Sequence, residues 1–171
     1  MKQLSLIRII LLVTIAMAIQ CCSTVFERVG EKKSPKLNEY LAMFHEEMDK
    51  RGIKNLNYNI VSLRFVDKMP GDKYVAVTYP FGTYKFIDVL RGYYSKAPAE
   101  EKEAIVIHEI GHAFGLAHLD EYRSIPYSKF CPVSVMHSSD SMKGCYFKYR
   151  SEYLNEMADR IKKLDGRSEY W

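Results

Sequence analysis

The stretch His108–His118, HEIGHAFGLAH, is the part of the chain on which the rest of the reading depends. His108 and His112 are four residues apart, so on a helix they stack on one face and can aim two imidazole nitrogens at one point. That is half of a tetrahedral zinc site. Glu109 is too short to bind the same metal easily but can reach a water held on it, and its expected role is general base. Gly115 comes three residues after His112, where a helix can end with a residue at positive φ and the chain can turn to bring His118 to the same metal. Three histidines and one open position describe a catalytic site. At average composition a chance match to all five positions is on the order of one in 100,000. The bland alternative is an amphipathic core helix whose histidines are satisfied by hydrogen bonds.

The flanks agree with a helix. Pro98 suits a first turn, Glu100, Glu101 and Glu103 favour its positive end, and the pattern runs to about Leu116. Ile105, Val106, Ile110 and Ala113 give an apolar surface beside the histidine face. Gly111 sits mid-helix at a cost of about 1 kcal/mol relative to Ala. The expected compensation is close approach of another segment.

HEIGHAFGLAH resembles the extended zinc signature of the metzincin metalloproteases, and SVMH at Ser134 to His137 resembles their Met-turn. Within that clan the stretch is most similar to matrixins and small secreted bacterial enzymes. It departs from them at Leu119, where the subfamilies carry Glu, Asp or Ser, so no subfamily is assigned. Ser138 stands where astacin-like enzymes place a tyrosine ligand, and no tyrosine switch is expected. The resemblance implies an α+β single domain with a twisted, mainly parallel sheet, an active-site helix, the Met-turn and a C-terminal helix. It implies one catalytic Zn2+ on His108, His112 and His118, Met136 as an apolar floor beneath them, and a protein or peptide substrate. As a plain core methionine, Met136 would differ little physically. It also implies a sheet edge that pairs with the substrate backbone, for which residues 84–89 are the candidate, and a pocket wall from residues 119–135. Tyr122, Tyr127 and Phe130 there suggest a preference for an apolar side chain.

The chain opens with Lys2 and Arg8, an apolar run over residues 9–19, and then Cys21 and Cys22. The run is shorter than the about 20 residues a bilayer needs, and it reads as a signal peptide over residues 1–20. A cysteine pair directly behind it resembles a lipoprotein signal with Cys21 as the lipidation candidate. Gln20 is a poor residue before a lipidated cysteine, and simple secretion stays open. Either route exports the protein, to the cell envelope or beyond. Residues 21–35 look like a tether and residues 36–171 like the metalloprotease domain, enough for one core. The chain carries a net charge of +4, which falls by two without Lys2 and Arg8, and nothing suggests nucleic acid. A monomer is expected, with membrane contact only through the lipid. Cys131 and Cys145 bracket the Met-turn in an oxidising compartment, so a disulfide is expected; two free thiols, or Cys131 as an inhibitory ligand, are the alternatives.

Residues 36–51 place Leu37, Tyr40, Leu41, Phe44 and Met48 at helical spacing, with Gly52 as a stop and His45 on the surface. Residues 57–66, 73–79 and 83–90 read as strands, broken by Pro70–Gly71 and Pro80–Gly82. Asp120 reads as loop polarity, with a bond to a ligand histidine as the alternative. His137 reads as a turn histidine. Residues 151–164 form the closing helix, and the tail from Asp165 to Trp171 carries no assignment. The rival from another class is a surface lipoprotein that binds matrix proteins or zinc without useful proteolysis. A purely structural zinc site fits less well, because such sites have four protein ligands and often use cysteine.

Overall fold

Ser34 opens the first helix: its hydroxyl accepts the Leu37 amide at 3.4 Å and Pro35 takes the first helical position, where a missing N–H costs nothing. The helix and its N-cap thus take in Pro35 and Ser34, the last two residues of the stretch 21–35 read from the sequence as a tether. The computed structural model describes residues 34–71, 73–123, 131–138 and 142–164. The signal peptide, Cys21, Cys22, Tyr127, Phe130 and the tail after Leu164 lie outside the described residues.

Helix α1 (Pro35–Lys50) buries Leu37, Leu41, Phe44 and Met48 on one face. A 3-10 turn at Tyr58–Ile60, opened by the Asn57 side chain, precedes β1 (Val61–Val66), so the expected strand starts four residues late. An Asx-type bond from Asn57 to the Asn59 amide competes with extended pairing there. The hairpin β2 (Ala76–Phe81) and β3 (Tyr84–Leu90) follows, then the short α2 (Arg91–Lys96), α3 (Ala99–Ala113) and α4 (Tyr146–Leu164). Helix α2 has no counterpart in the sequence reading. The fold is α+β.

The sheet order is β1-β3-β2, with β1 and β3 parallel and β2 antiparallel to β3. The sheet is mixed, not mainly parallel, because the tight turn at Gly82 (φ 56°) forces the hairpin pair to be antiparallel. Two further expectations change with it. The stretch 84–89 is the centre of the sheet rather than its edge, and Phe86, Ile87, Asp88 and Val89 are buried in succession, as a strand covered on both faces requires. The edge strand beside α3 is β2. Pro80 does not break that strand but lies within it, which an edge strand tolerates because one side needs no ladder donor. Buried Asp88 is matched across the parallel ladder by Arg64, whose Nε donates to it at 2.6 Å.

Helix α3 has Pro98 as its N-cap, so the proline sits just outside the helix, and it ends at Ala113 rather than near Leu116. Gly115 at φ 92° makes the exit, and the Leu116 amide returns to the Gly111 carbonyl at 3.0 Å. Helix α4 begins earlier than expected, at Tyr146, and is interrupted at Tyr149 (φ −115°, ψ 16°). It turns Tyr153, Leu154, Met157, Ala158 and Ile161 inward. The Cys131 and Cys145 sulfurs lie 2.04 Å apart, a disulfide bond length, and tie the segment carrying Met136 to the start of α4. Closing a loop of 14 residues' separation contributes about 3 kcal/mol in the chain-entropy model.

The segment expected to approach Gly111 is the turn at Met136. A Cβ on Gly111 would collide with the Met136 sulfur and lie 2.8 Å from the Met157 methyl. Gly111→Ala gains about 1 kcal/mol of helix propensity and incurs an overpacking cost of about 1–3 kcal/mol. The expected net result is a loss of roughly 1 kcal/mol, read as a lower urea midpoint at unchanged m-value. A midpoint at or above the parental one would show that the two methionines swing aside at no cost.

Candidate metal centre

Helix α3 carries His108 and His112 on one face, and the turn at Gly115 returns the chain so that His118 meets them. The His108 Nδ1 lies 2.8 Å from the Val135 carbonyl, and the His112 Nδ1 lies 2.8 Å from the Leu116 carbonyl. A carbonyl only accepts, so both Nδ1 atoms carry the proton and both Nε2 atoms present a lone pair. Those lone pairs converge with the third ring: His112 Nε2 to His118 Nε2 is 3.1 Å, and His118 Nε2 to His108 Nε2 is 3.3 Å. Tetrahedral zinc with bonds of about 2.0–2.1 Å separates its nitrogen ligands by about 3.3–3.4 Å. The three histidines form the metal-competent group found among the described residues, and their donor set and spacing fit a zinc ion.

Burial holds the His108 imidazole far below its usual range, to about 3, helped by the nearby His112. His112 is also lowered, by burial first and against the pull of its bond to the Leu116 carbonyl. Both rings are therefore neutral at ordinary pH, the form that binds a metal.

Glu109 follows the first histidine and is 93% shielded from solvent, with a relative exposure of 7%. Burial raises its carboxyl to about 7, opposed by a hydrogen bond from Thr78. The Thr78 hydroxyl, on edge strand β2, lies 2.7 Å from Glu109 Oε2 and 2.9 Å from the Glu109 backbone carbonyl. Oε2 is thereby engaged, and Glu109 lines the adjoining cleft. Sequence reasoning missed Thr78, because a hydroxyl on an exposed strand face is ordinary and its partner is 31 residues away.

A cleft of about 1460 Å³ runs past this group. β2 residues Val77, Thr78 and Pro80 line one side, and Ala104, Ile105, Val135 and Met142 supply apolar wall towards the start of α3. Met136 is fully buried against the helix at Gly111. Asp120 makes no bond to a ligand ring among the described residues; its Oδ1 accepts the Ser138 amide at 2.7 Å and ties the loop after His118 to the turn after Met136. His137 is buried, lines the cleft and packs against the Tyr122 ring with centroids 4.5 Å apart. His45 stands apart, half exposed and 3.5 Å from Asp49 on α1.

The arrangement is chemically specific: three imidazoles aimed at one point, a carboxyl of near-neutral pKa beside them, and an open groove bounded by a strand edge. Comparison of the chain with family models, with curated proteins and with solved structures finds no match in any of the three.

Proposed function

We propose that the chain is a zinc-dependent endopeptidase of metzincin type, with His108, His112 and His118 as ligands and Glu109 as general base. The observation that carries this is the convergence of three Nε2 atoms at 3.1 and 3.3 Å, with the Nδ1 atoms of His108 and His112 committed to carbonyls. A metzincin-like architecture is part of the proposal: a sheet of mixed sense, the helix with its glycine exit, a Met-turn beneath it and a closing helix.

His108, His112 and His118 would hold a zinc ion, which would supply Lewis-acid chemistry for activating water and polarising the scissile carbonyl. Glu109 takes the proton of the attacking water at Oε1 and returns it to the leaving amine. Thr78 holds the other carboxylate oxygen and fixes the direction in which Oε1 points. β2 is the edge strand beside the cleft, and an extended peptide substrate would run along it. Residues Ala104, Ile105, Val135 and Met142 favour an apolar substrate side chain beside the metal. Export through the N-terminal signal, with or without a lipid on Cys21, and an envelope or extracellular protein substrate complete the reading.

The experiment is cleavage of casein and of a peptide library by purified protein with and without a chelator. Chelation should abolish cleavage and added zinc should restore it. Zinc binding with no chelator-sensitive cleavage would instead support a binding protein.

A further inference from the structure

His118 is the ligand with the weakest local support. It lies in a loop rather than on α3, it is solvent-exposed, and no carbonyl anchors its ring among the described residues, unlike those of His108 and His112. Its backbone, however, is held on both sides. The residue before it, Ala117, accepts from Arg160 Nη2 of α4 at 2.8 Å. The residue after it, Leu119, donates its amide to the Met136 carbonyl at 2.8 Å.

These two holds belong to one circuit. Arg160 Nη1 lies 3.0 Å from Glu156 Oε1, one helical turn earlier. Glu156 Oε2 accepts the hydroxyl of Ser134 at 2.6 Å, and that same hydroxyl oxygen accepts the Met136 amide at 3.0 Å. Ser134 is fully buried, and the Arg160 and Glu156 side chains are 15% and 21% exposed, so water competes weakly for these bonds. From Ala117 the path runs through Arg160, Glu156, Ser134 and Met136 and back to Leu119, with His118 in the gap.

We infer that Arg160 and Glu156 are positioning residues for the metal, a clasp from the closing helix that sets where the His118 imidazole stands. The inference rests on the zinc reading above and deepens it. A ligand on a loop gives up backbone freedom when the metal binds, and a clasp that has already fixed the flanking peptide groups removes that cost beforehand. Partners that act through a metal ligand typically change affinity by about 10–100-fold when lost.

The test is zinc affinity, measured on the full chain by competition with a chromophoric chelator, together with the melting temperature of the metal-free protein. Arg160→Met keeps the aliphatic stem and removes both bonds; its zinc dissociation constant is expected to rise about 10–100-fold. Arg160→Lys can keep one bond but not both and should fall between it and the parent. Met48→Ala, a cavity in α1, serves as the comparator: it lowers the melting temperature and should leave zinc affinity close to parental. Parental affinity in Arg160→Met overturns the clasp, as does an equal loss in Met48→Ala, which would reduce the effect to general stability. If Arg160→Met does not fold, Arg160→Lys decides, and parental affinity there is equally fatal. A parental chain that binds no zinc sinks the metal reading and the clasp together. Weakened zinc binding in Arg160→Met alongside a parent that cleaves no peptide leaves the clasp standing and removes only the proteolysis.

Discussion

Glu109→Gln is expected to bind one zinc ion and to unfold like the parent while hydrolysing peptides about 10²–10⁴-fold more slowly. The change is nearly isosteric, and the Thr78 hydroxyl can donate to the amide oxygen as it does to the carboxylate, so the local packing around this buried side chain is kept. Burial already disfavours the charged carboxylate, as its raised pKa of about 7 records, so exchanging it for a neutral amide removes a cost and does not endanger the fold. What the amide cannot do is accept a proton from water. Zinc content by metal analysis, melting temperature and kcat on a fluorogenic peptide separate the outcomes. A zinc-loaded variant working at the parental rate ends the general-base assignment. A loss of rate that follows a loss of zinc would make Glu109 a support for the metal and not the base.

The geometry of the histidine stretch was legible because its information is local. Two histidines at i and i+4 share a face whatever the rest of the chain does, and the exit at Gly115 follows from a φ of 92° that few other residues accept. Gly111 was legible in the same way, as a position whose missing side chain had to be filled, and Met136 fills it. Strand order was not local. Residues 84–89 alternate poorly and bury four consecutive side chains, a signal of a central strand, and Pro80 is a signal of an edge. Both were present in the sequence, yet reading Pro80 as a break concealed that β2 continues to Phe81 and is the strand beside the helix. The remaining parts of the site were out of reach for a different reason. Thr78 meets Glu109 across 31 residues, Ser134 meets Glu156 across 22, and Arg160 meets Ala117 across 43. Thr78, Glu156 and Arg160 belong to no spacing motif read from the sequence, and these pairings exist only once the helices are packed.

His108→Ala should weaken zinc binding by about 10²–10³-fold, and the loss should be visible in stability as well as in activity. Zinc-finger-type sites bind with apparent energies of about 10–16 kcal/mol from four ligands, so one ligand corresponds to roughly 3–4 kcal/mol. The variant also leaves the Val135 carbonyl without the ring N–H that it accepts at 2.8 Å; Val135 is buried, so the metal-free protein should lose about 1–3 kcal/mol as well. The two effects separate by titration. At a free zinc concentration about 1,000 times its dissociation constant, the parent gains about 4 kcal/mol, whereas the variant, then at about 1–10 times its own dissociation constant, gains only about 0.4–1.4 kcal/mol. His45→Ala provides the control, since that residue lies on the outer face of α1 and should leave the zinc-induced gain unchanged. His137→Ala is the sharper control: the residue is buried in the same cleft, its ring packs on Tyr122, and it stands outside the group of three. It should lower stability with and without zinc by the same amount. If His137→Ala erased the zinc-induced gain while His108→Ala retained it, the metal would be held elsewhere in the cleft and the convergence of the three Nε2 atoms would have to be explained without it.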